Sequence, residues 1–134
     1  MQITQEADYA VRIIYCLAKK NGRMDARTIS EQMGVTLRFA LKILNKLTGA
    51  GIVKSFKGTN GGYELAHEAE IINMRQVIEA VDGESIVFKC IANGENCNRG
   101  ASGSCSFQKV FIEIAEEINM KLENVSFAHL IEEG

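Results

Sequence analysis

Apolar residues recur at intervals of three and four along most of the chain, which predicts a mainly helical fold. The first run follows Thr4, a candidate N-cap, and ends at the turn-forming residues 21–23. A second predicted helix spans residues 26–33 and is closed by Gly34. A third predicted helix follows and covers residues 37–48.

The helical spacing then gives way to two short runs with the composition of strands. These are "IVKSF" and "YELA", separated by the turn sequence "KGTNGG". Within the turn, we expect Asn60, Gly61 and Gly62 to take positive φ at little cost. The pattern therefore predicts a β-hairpin.

Two further helices are predicted in the second half of the chain. Asn73 caps "MRQVIEAVDG", and Gln76 completes a capping-box pattern. A long helix begins after Cys105, with an apolar stripe made of Phe107, Val110, Phe111, Ile114, Ile118, Leu122 and Val125. Because Ile112 and Met120 add apolar surface beside the stripe, we expect a homodimer that forms through helix 107–125.

The order of three helices and a hairpin predicts a winged helix-turn-helix. The fold class is therefore mainly α with a small β-hairpin wing, extended by a long C-terminal dimerisation helix. We assign residues 1–66 to the winged helix-turn-helix domain that would bind DNA. We assign residues 67–134 to a cysteine-bearing loop and the dimerisation helix.

The third helix carries a face suited to reading DNA, and it begins after Thr36. Its buried stripe is expected at Ala40, Ile43, Leu44 and Leu47. The opposite face presents Arg38, Leu41, Lys42 and Asn45. Arginine and lysine can bind phosphates or guanine edges, asparagine suits adenine, and leucine can meet a thymine methyl group. Lys57 and Asn60 on the wing extend this candidate DNA surface, and Lys54 lies beside them.

Composition and charge limit the classes of function. The net charge is −2, but residues 1–65 hold ten Lys/Arg against five Asp/Glu, and residues 66–134 hold five against twelve. A basic first half is expected when one face meets a polyanion such as double-stranded DNA. No run is long enough for a membrane span, and no signal peptide is evident, so we expect a cytoplasmic protein. No catalytic constellation or phosphate loop indicates an enzyme.

Three of the four cysteines lie close together in a segment rich in Gly, Asn and Ser. Cys90, Cys97 and Cys105 are separated by six and seven residues, which matches neither a zinc knuckle nor a ferredoxin. By spacing alone they are a metal site, a thiol–disulfide sensor or a chance cluster. Cys16 lies among apolar residues of the first helix and is expected to be a small buried hydrophobe.

The stretches "ADYAVRIIYCLA", "LKILNKLTGAGIVKSFKGTNGGYELA" and "MRQVIEAVDG" resemble the iron–sulfur regulators related to IscR and NsrR. The resemblance implies a homodimer that binds palindromic promoter DNA and senses nitric oxide, iron or redox state, most often as a repressor. It also implies an iron–sulfur cluster held by Cys90, Cys97 and Cys105, with 4Fe–4S preferred over 2Fe–2S. This sequence departs from the family at Thr36, where proline is usual, and at Lys57, where arginine is frequent.

The resemblance also bears on the fourth cluster ligand. The IscR branch uses a histidine three residues after the third cysteine, where this chain has Gln108. The NsrR branch uses an aspartate from the first helix of the other subunit, and Asp8 stands at the matching position. Asp8 is therefore the expected fourth ligand, with a histidine, a small molecule or solvent as alternatives. A cluster-free thiol-redox regulator that uses the same cysteines stays open.

Overall fold

The computed structural model describes residues 3–83 and 106–134, so Cys90, Cys97 and Cys105 lie outside the described residues. The described residues form six helices and one two-stranded antiparallel sheet. The elements are α1 (Gln5–Lys20), α2 (Ala26–Met33), α3 (Leu37–Gly49), β1 (Val53–Phe56), β2 (Gly62–Leu65), α4 (Met74–Asp82), α5 (Ser106–Glu123) and α6 (Phe127–Glu133). The predicted fold class, mainly helical with a hairpin wing, is confirmed.

Local capping residues fix the ends of the first two helices. Thr4 accepts a hydrogen bond from the Ala7 N–H at 3.0 Å, and α1 ends at Asn21 in the left-handed conformation. Asp25 caps α2, and Gly34 ends it with φ +69°. Each cap satisfies backbone groups that a helix end leaves without partners. The predicted bounds of these helices are therefore close to the observed ones.

The hairpin is the wing of the fold, and its turn differs from the predicted one. Val53 pairs with Leu65 at one end of the ladder, and Phe56 pairs with Gly62 at the other. Positive φ occurs at Gly58 (+92°) and Gly62 (+140°), so the expectation of positive φ at Asn60 and Gly61 is wrong. Position 62 requires glycine for a steric reason, because a Cβ there would lie 2.6 Å from the Met24 carbonyl oxygen.

Helix α1 lies at the centre of the described part of the molecule. It packs against α2, α3, α4, α6 and β2. The fully buried side chains of the resulting core include Ile13, Ile14, Ile29, Ile43, Leu44, Leu47, Val77 and Phe127. Residues on both sides of position 66 contribute to this one cluster, and the division of the chain at residue 66 stays a prediction.

The C-terminal end contains a helix that the sequence pattern had merged into the preceding one. The predicted stripe runs to Val125, but α5 ends at Glu123, and Ser126 caps a separate helix α6 by accepting from the His129 N–H at 3.1 Å. The Phe127 N–H donates to the Ile72 carbonyl at 3.0 Å. These bonds turn the chain back, so that the Phe127 ring enters the core under α1.

Helix α5 packs against α4 with one face and leaves apolar side chains on another. Gln108 and Ala115 are buried, whereas Phe107, Val110 and Met120 are between 51% and 61% exposed. Arg75 of α4 forms ion pairs with Glu79 and with Glu123 at the end of α5. Packing among residues 3–83 and 106–134 therefore covers only part of the apolar surface of α5.

Candidate nucleic-acid interface

Helix α3 separates cleanly into a buried side and an exposed side. Ala40, Ile43, Leu44 and Leu47 are all 0% exposed, as predicted. Arg38, Leu41, Lys42 and Asn45 all lie on the exposed side. Leu41 is 37% exposed, which is unusual for a leucine on a polar face and leaves its methyl groups accessible. The arrangement presents two cations, one amide and one apolar group along a single accessible face.

Thr36 has a structural position at the start of this face. Its hydroxyl oxygen accepts a hydrogen bond from the Phe39 N–H at 3.2 Å and so caps α3. The side chain is exposed, at the turn between α2 and α3. The N-terminus of a helix carries partial positive charge, so this end of α3 also suits a phosphate. Contact with DNA at Thr36 stays a prediction.

The wing places its polar residues away from the core. Lys57 and Asn60 lie in the turn, and both are exposed, as is Lys54 on β1. Arg23, which precedes α2, stacks over the Phe56 ring and bonds to the turn. Sequence patterns give no reason to single out Arg23, because its partners Phe56 and Asn60 are 33 and 37 residues away along the chain.

A carboxylate behind α3 gives its two lysines different environments. Glu6 of α1 is 2.8 Å from Lys46 Nζ and 3.8 Å from Lys42 Nζ. Lys46 also donates to the Val81 carbonyl at the end of α4 at 3.4 Å. The Lys42 side chain is 59% exposed and that of Lys46 38%. Lys42 is thus the more available cation, whereas Lys46 connects three helices.

The predicted fourth ligand, Asp8, lies on the surface of α1. Its side chain is 50% exposed and is paired with Arg12 Nη2 at 2.8 Å. Arg12 also reaches the Met33 carbonyl at the end of α2 at 3.4 Å, and its guanidinium lies 5.2 Å from the Tyr9 ring centroid. An exposed carboxylate can accept a metal, so the chemistry of Asp8 fits the proposed ligand role. The role itself stays a prediction.

The other candidate ligands in the described ranges behave as ordinary structural residues. Cys16 is 5% exposed, and burial raises the pKa of its thiol, which confirms its expected role as a small core residue. His67 and His129 are exposed. Within residues 3–83 and 106–134 there is no group of three or more His, Cys, Asp or Glu side chains that could hold a metal ion. The predicted ligands Cys90, Cys97 and Cys105 lie outside these ranges.

In residues 3–83 and 106–134, no helix is both long enough and apolar enough to cross a membrane.

Comparison with known proteins gives matches along nearly the whole chain. A family model described as "Rrf2: Iron-dependent Transcriptional regulator" matches residues 3–133. A Neisseria meningitidis serogroup A protein named as an HTH-type transcriptional regulator, NMA1593, is 30% identical over 99% of this chain and 89% of its own. A Haemophilus influenzae protein with the same type of name is 29% identical, over 98% of this chain and 87% of its own.

Solved structures share the fold. CymR (YrzC), titled the global cysteine regulator of B. subtilis, superposes with a TM-score of 0.83 at 21% identity, covering 100% of this chain and 98% of its own. IscR of T. potens superposes with a TM-score of 0.79 at 22% identity, covering 99% and 88%. At these identities the likeness establishes the architecture, which is that of winged-helix transcriptional regulators.

Proposed function

Since the chain belongs to the Rrf2 family of DNA-binding transcriptional regulators, we propose that it is a homodimeric repressor whose affinity for palindromic promoter DNA depends on an iron–sulfur cluster. The observation that carries the DNA-binding part is the exposed face of α3, where Arg38, Lys42 and Asn45 stand opposite a fully buried stripe. In a helix-turn-helix, such a helix lies in the major groove and contacts base edges. Acting on promoter DNA places the protein in the cytoplasm.

Dimerisation is supported by the apolar surface that α5 leaves uncovered. Phe107 and Val110 lie near its start, Met120 lies near its end, and all three are more than half exposed. Exposed apolar patches of this kind on a helix commonly mark protein–protein contacts. A two-fold dimer through α5 would present two copies of α3, and this symmetry is the reason to expect a palindromic site.

The cluster ligands in this proposal are Cys90, Cys97, Cys105 and Asp8. Thiolates are the usual protein ligands of iron–sulfur clusters, and a carboxylate oxygen is a weaker donor than a fourth thiolate. A bound cluster would supply a group that reacts with nitric oxide and oxygen and depends on iron supply. The preference for 4Fe–4S over 2Fe–2S belongs to the same proposal. The Asp8 carboxylate also forms an ion pair with Arg12, and Arg12 bonds to the Met33 carbonyl at the end of α2. Cluster binding at Asp8 would therefore alter a contact with the helix-turn-helix.

A second candidate function is a thiol-redox regulator that uses the same three cysteines without a cluster. The fold of this chain also superposes on Staphylococcus aureus CymR, which has been solved in an oxidized form, with a TM-score of 0.74 at 23% identity. In that case an oxidant would join two of the thiols in a disulfide, with the two protons and two electrons passing to the oxidant. DNA binding through α3 is common to both candidates.

One preparation tests the two candidates against each other. The protein is purified without oxygen, and iron, acid-labile sulfide and visible absorbance are measured before and after anaerobic reconstitution. The cluster proposal expects a brown protein that contains both iron and sulfide. A colourless protein that takes up neither would favour the thiol regulator. Binding of the same preparations to duplex DNA then tests the shared part of the proposal.

A further inference from the structure

Arg23 holds the wing from outside the hairpin. Its guanidinium carbon lies 3.5 Å from the centroid of the Phe56 ring, at the end of β1. Its Nη1 donates a hydrogen bond to the Asn60 carbonyl oxygen in the turn, at 2.8 Å. One side chain from the segment between α1 and α2 therefore contacts both the end of the strand and the turn that follows it.

The backbone of the same segment fixes the base of the wing. The Met24 N–H donates to the Tyr63 carbonyl at 2.9 Å, and the Tyr63 N–H donates to the Met24 carbonyl at 2.7 Å. Gly62 lies so close to Met24 that a Cβ would lie 2.6 Å from its carbonyl oxygen. Beyond this base, the Gly61 N–H donates to the Gly58 carbonyl at 3.0 Å, which folds the turn without joining it to the helices. Arg23 therefore adds a side-chain link between the turn and the segment that precedes α2.

The geometry requires arginine in particular. A guanidinium is planar, so it can stack on an aromatic ring while an N–H in its plane donates to a carbonyl. A lysine ammonium has one charged atom and cannot occupy both positions. Both contacts are already made by the free protein, and they hold the guanidinium against the hairpin.

We propose that Arg23 is a positioning residue for DNA recognition. It holds the turn that carries Lys57 and Asn60 in one orientation, and it thereby sets how strongly the protein discriminates among the base pairs that flank those read by α3. This inference rests on the proposed function, because it requires that DNA is bound through α3 and the wing together.

The test uses an operator that the wild-type protein selects from a pool of random duplexes. Dissociation constants are measured for this operator and for versions with each base pair changed in turn, at several salt concentrations. The variants are Arg23→Gln, Arg23→Lys, Phe56→Leu and the double variant Arg23→Gln/Phe56→Leu. Lys19→Gln is the matched control, because Lys19 is an exposed cation that lines the same groove beside the wing. Melting curves verify that each variant is folded.

The expected result is a loss of discrimination that is confined to the flanking positions. Arg23→Gln should bind the selected operator about 5- to 30-fold more weakly, because the turn must then be ordered on binding, at a cost no larger than the stacked cation and the hydrogen bond that order it in the wild type. Changing a flanking base pair of the operator should then reduce the affinity of this variant only slightly. Changing a base pair that α3 contacts should reduce its affinity as much as it does for the wild type. Phe56→Leu removes no charge and should give the same pattern. The double variant should be no worse than Arg23→Gln. Lys19→Gln should keep the wild-type pattern.

A direct phosphate contact by Arg23 would give a different set of results and would overturn the inference. In that case Arg23→Lys would bind like wild type, and Arg23→Gln would lose affinity equally for every sequence with a salt slope lower by about 1 per protomer. Wild-type discrimination at the flanks in a folded Phe56→Leu or Arg23→Gln variant would also overturn it. A wild-type protein that selects no DNA would refute the proposed function and this inference with it.

Discussion

The two lysines of α3 that lie near Glu6 should respond in opposite ways to substitution. Lys42→Ala removes a 59% exposed side chain whose distance to Glu6 is 3.8 Å, so the free energy of unfolding should change by less than about 0.5 kcal/mol. Lys46→Ala removes the 2.8 Å partner of a Glu6 side chain that is only 19% exposed. It also removes the bond to Val81, so a loss of about 1–2 kcal/mol in unfolding free energy is expected.

For DNA affinity the order should be reversed, so that Lys42→Ala has the larger effect and Lys46→Ala the smaller one. If Lys42 contacts a base edge, its loss should cost about 1–3 kcal/mol per protomer, which is roughly 5- to 140-fold in the dissociation constant for each protomer that makes the contact. Lys46→Ala should bind within about threefold of wild type under conditions where it is folded. Fluorescence anisotropy with a labelled operator and urea denaturation measure the two quantities on the same samples. The reasoning is refuted if Lys42→Ala binds like wild type, or if Lys46→Ala proves as stable as Lys42→Ala.

Three further predictions concern the core, the assembly and the fourth ligand. Phe127→Ala should lower the free energy of unfolding by about 3–5 kcal/mol because the ring is fully buried, and Phe127→Leu should cost clearly less in the same denaturation experiment. Charged residues at Ile114 and Ile118 should give monomer or insoluble chain by light scattering, and a dimer in the double variant would contradict assembly through α5. Asp8→Ala should take up a cluster that is lost faster and absorbs differently, and wild-type spectrum and lifetime would leave Asp8 with only its ion pair to Arg12.

The helical part of the fold could be predicted because its signals are local. The stripe of α3 and the caps at Thr4, Thr36 and Asn73 each depend on residues within one or two turns of each other. The same local signals were present for α6, where Ser126 precedes apolar residues at helical spacing. The stripe of α5 reaches Val125 without a break in its period, and this continuity hides the boundary between α5 and α6 in the sequence.

The parts that could not be predicted depend on contacts between distant segments. Position 62 tolerates no Cβ because the carbonyl of Met24, from the segment before α2, lies against it. Glu6 of α1 lies closer to Lys46 than to Lys42, and so gives the two lysines of α3 different environments. Nothing in the sequence around either lysine indicates this contact. The candidate DNA-reading face could be predicted from one helix alone, whereas the contacts of Arg23 with the wing could not.

The most direct test of regulation by a cluster compares the DNA affinity of the same protein with and without its iron and sulfide. Protein purified and kept without oxygen is divided, one half is stripped of iron and sulfide, and both halves are titrated against the same palindromic operator. If a cluster controls DNA binding, the dissociation constants of the two halves should differ by at least about tenfold, in either direction, which corresponds to 1.4 kcal/mol. Cys97→Ala, treated in the same way, should show the affinity of the stripped protein throughout. Equal affinities of the two halves, with iron and sulfide verified in the first, would contradict regulation by a cluster.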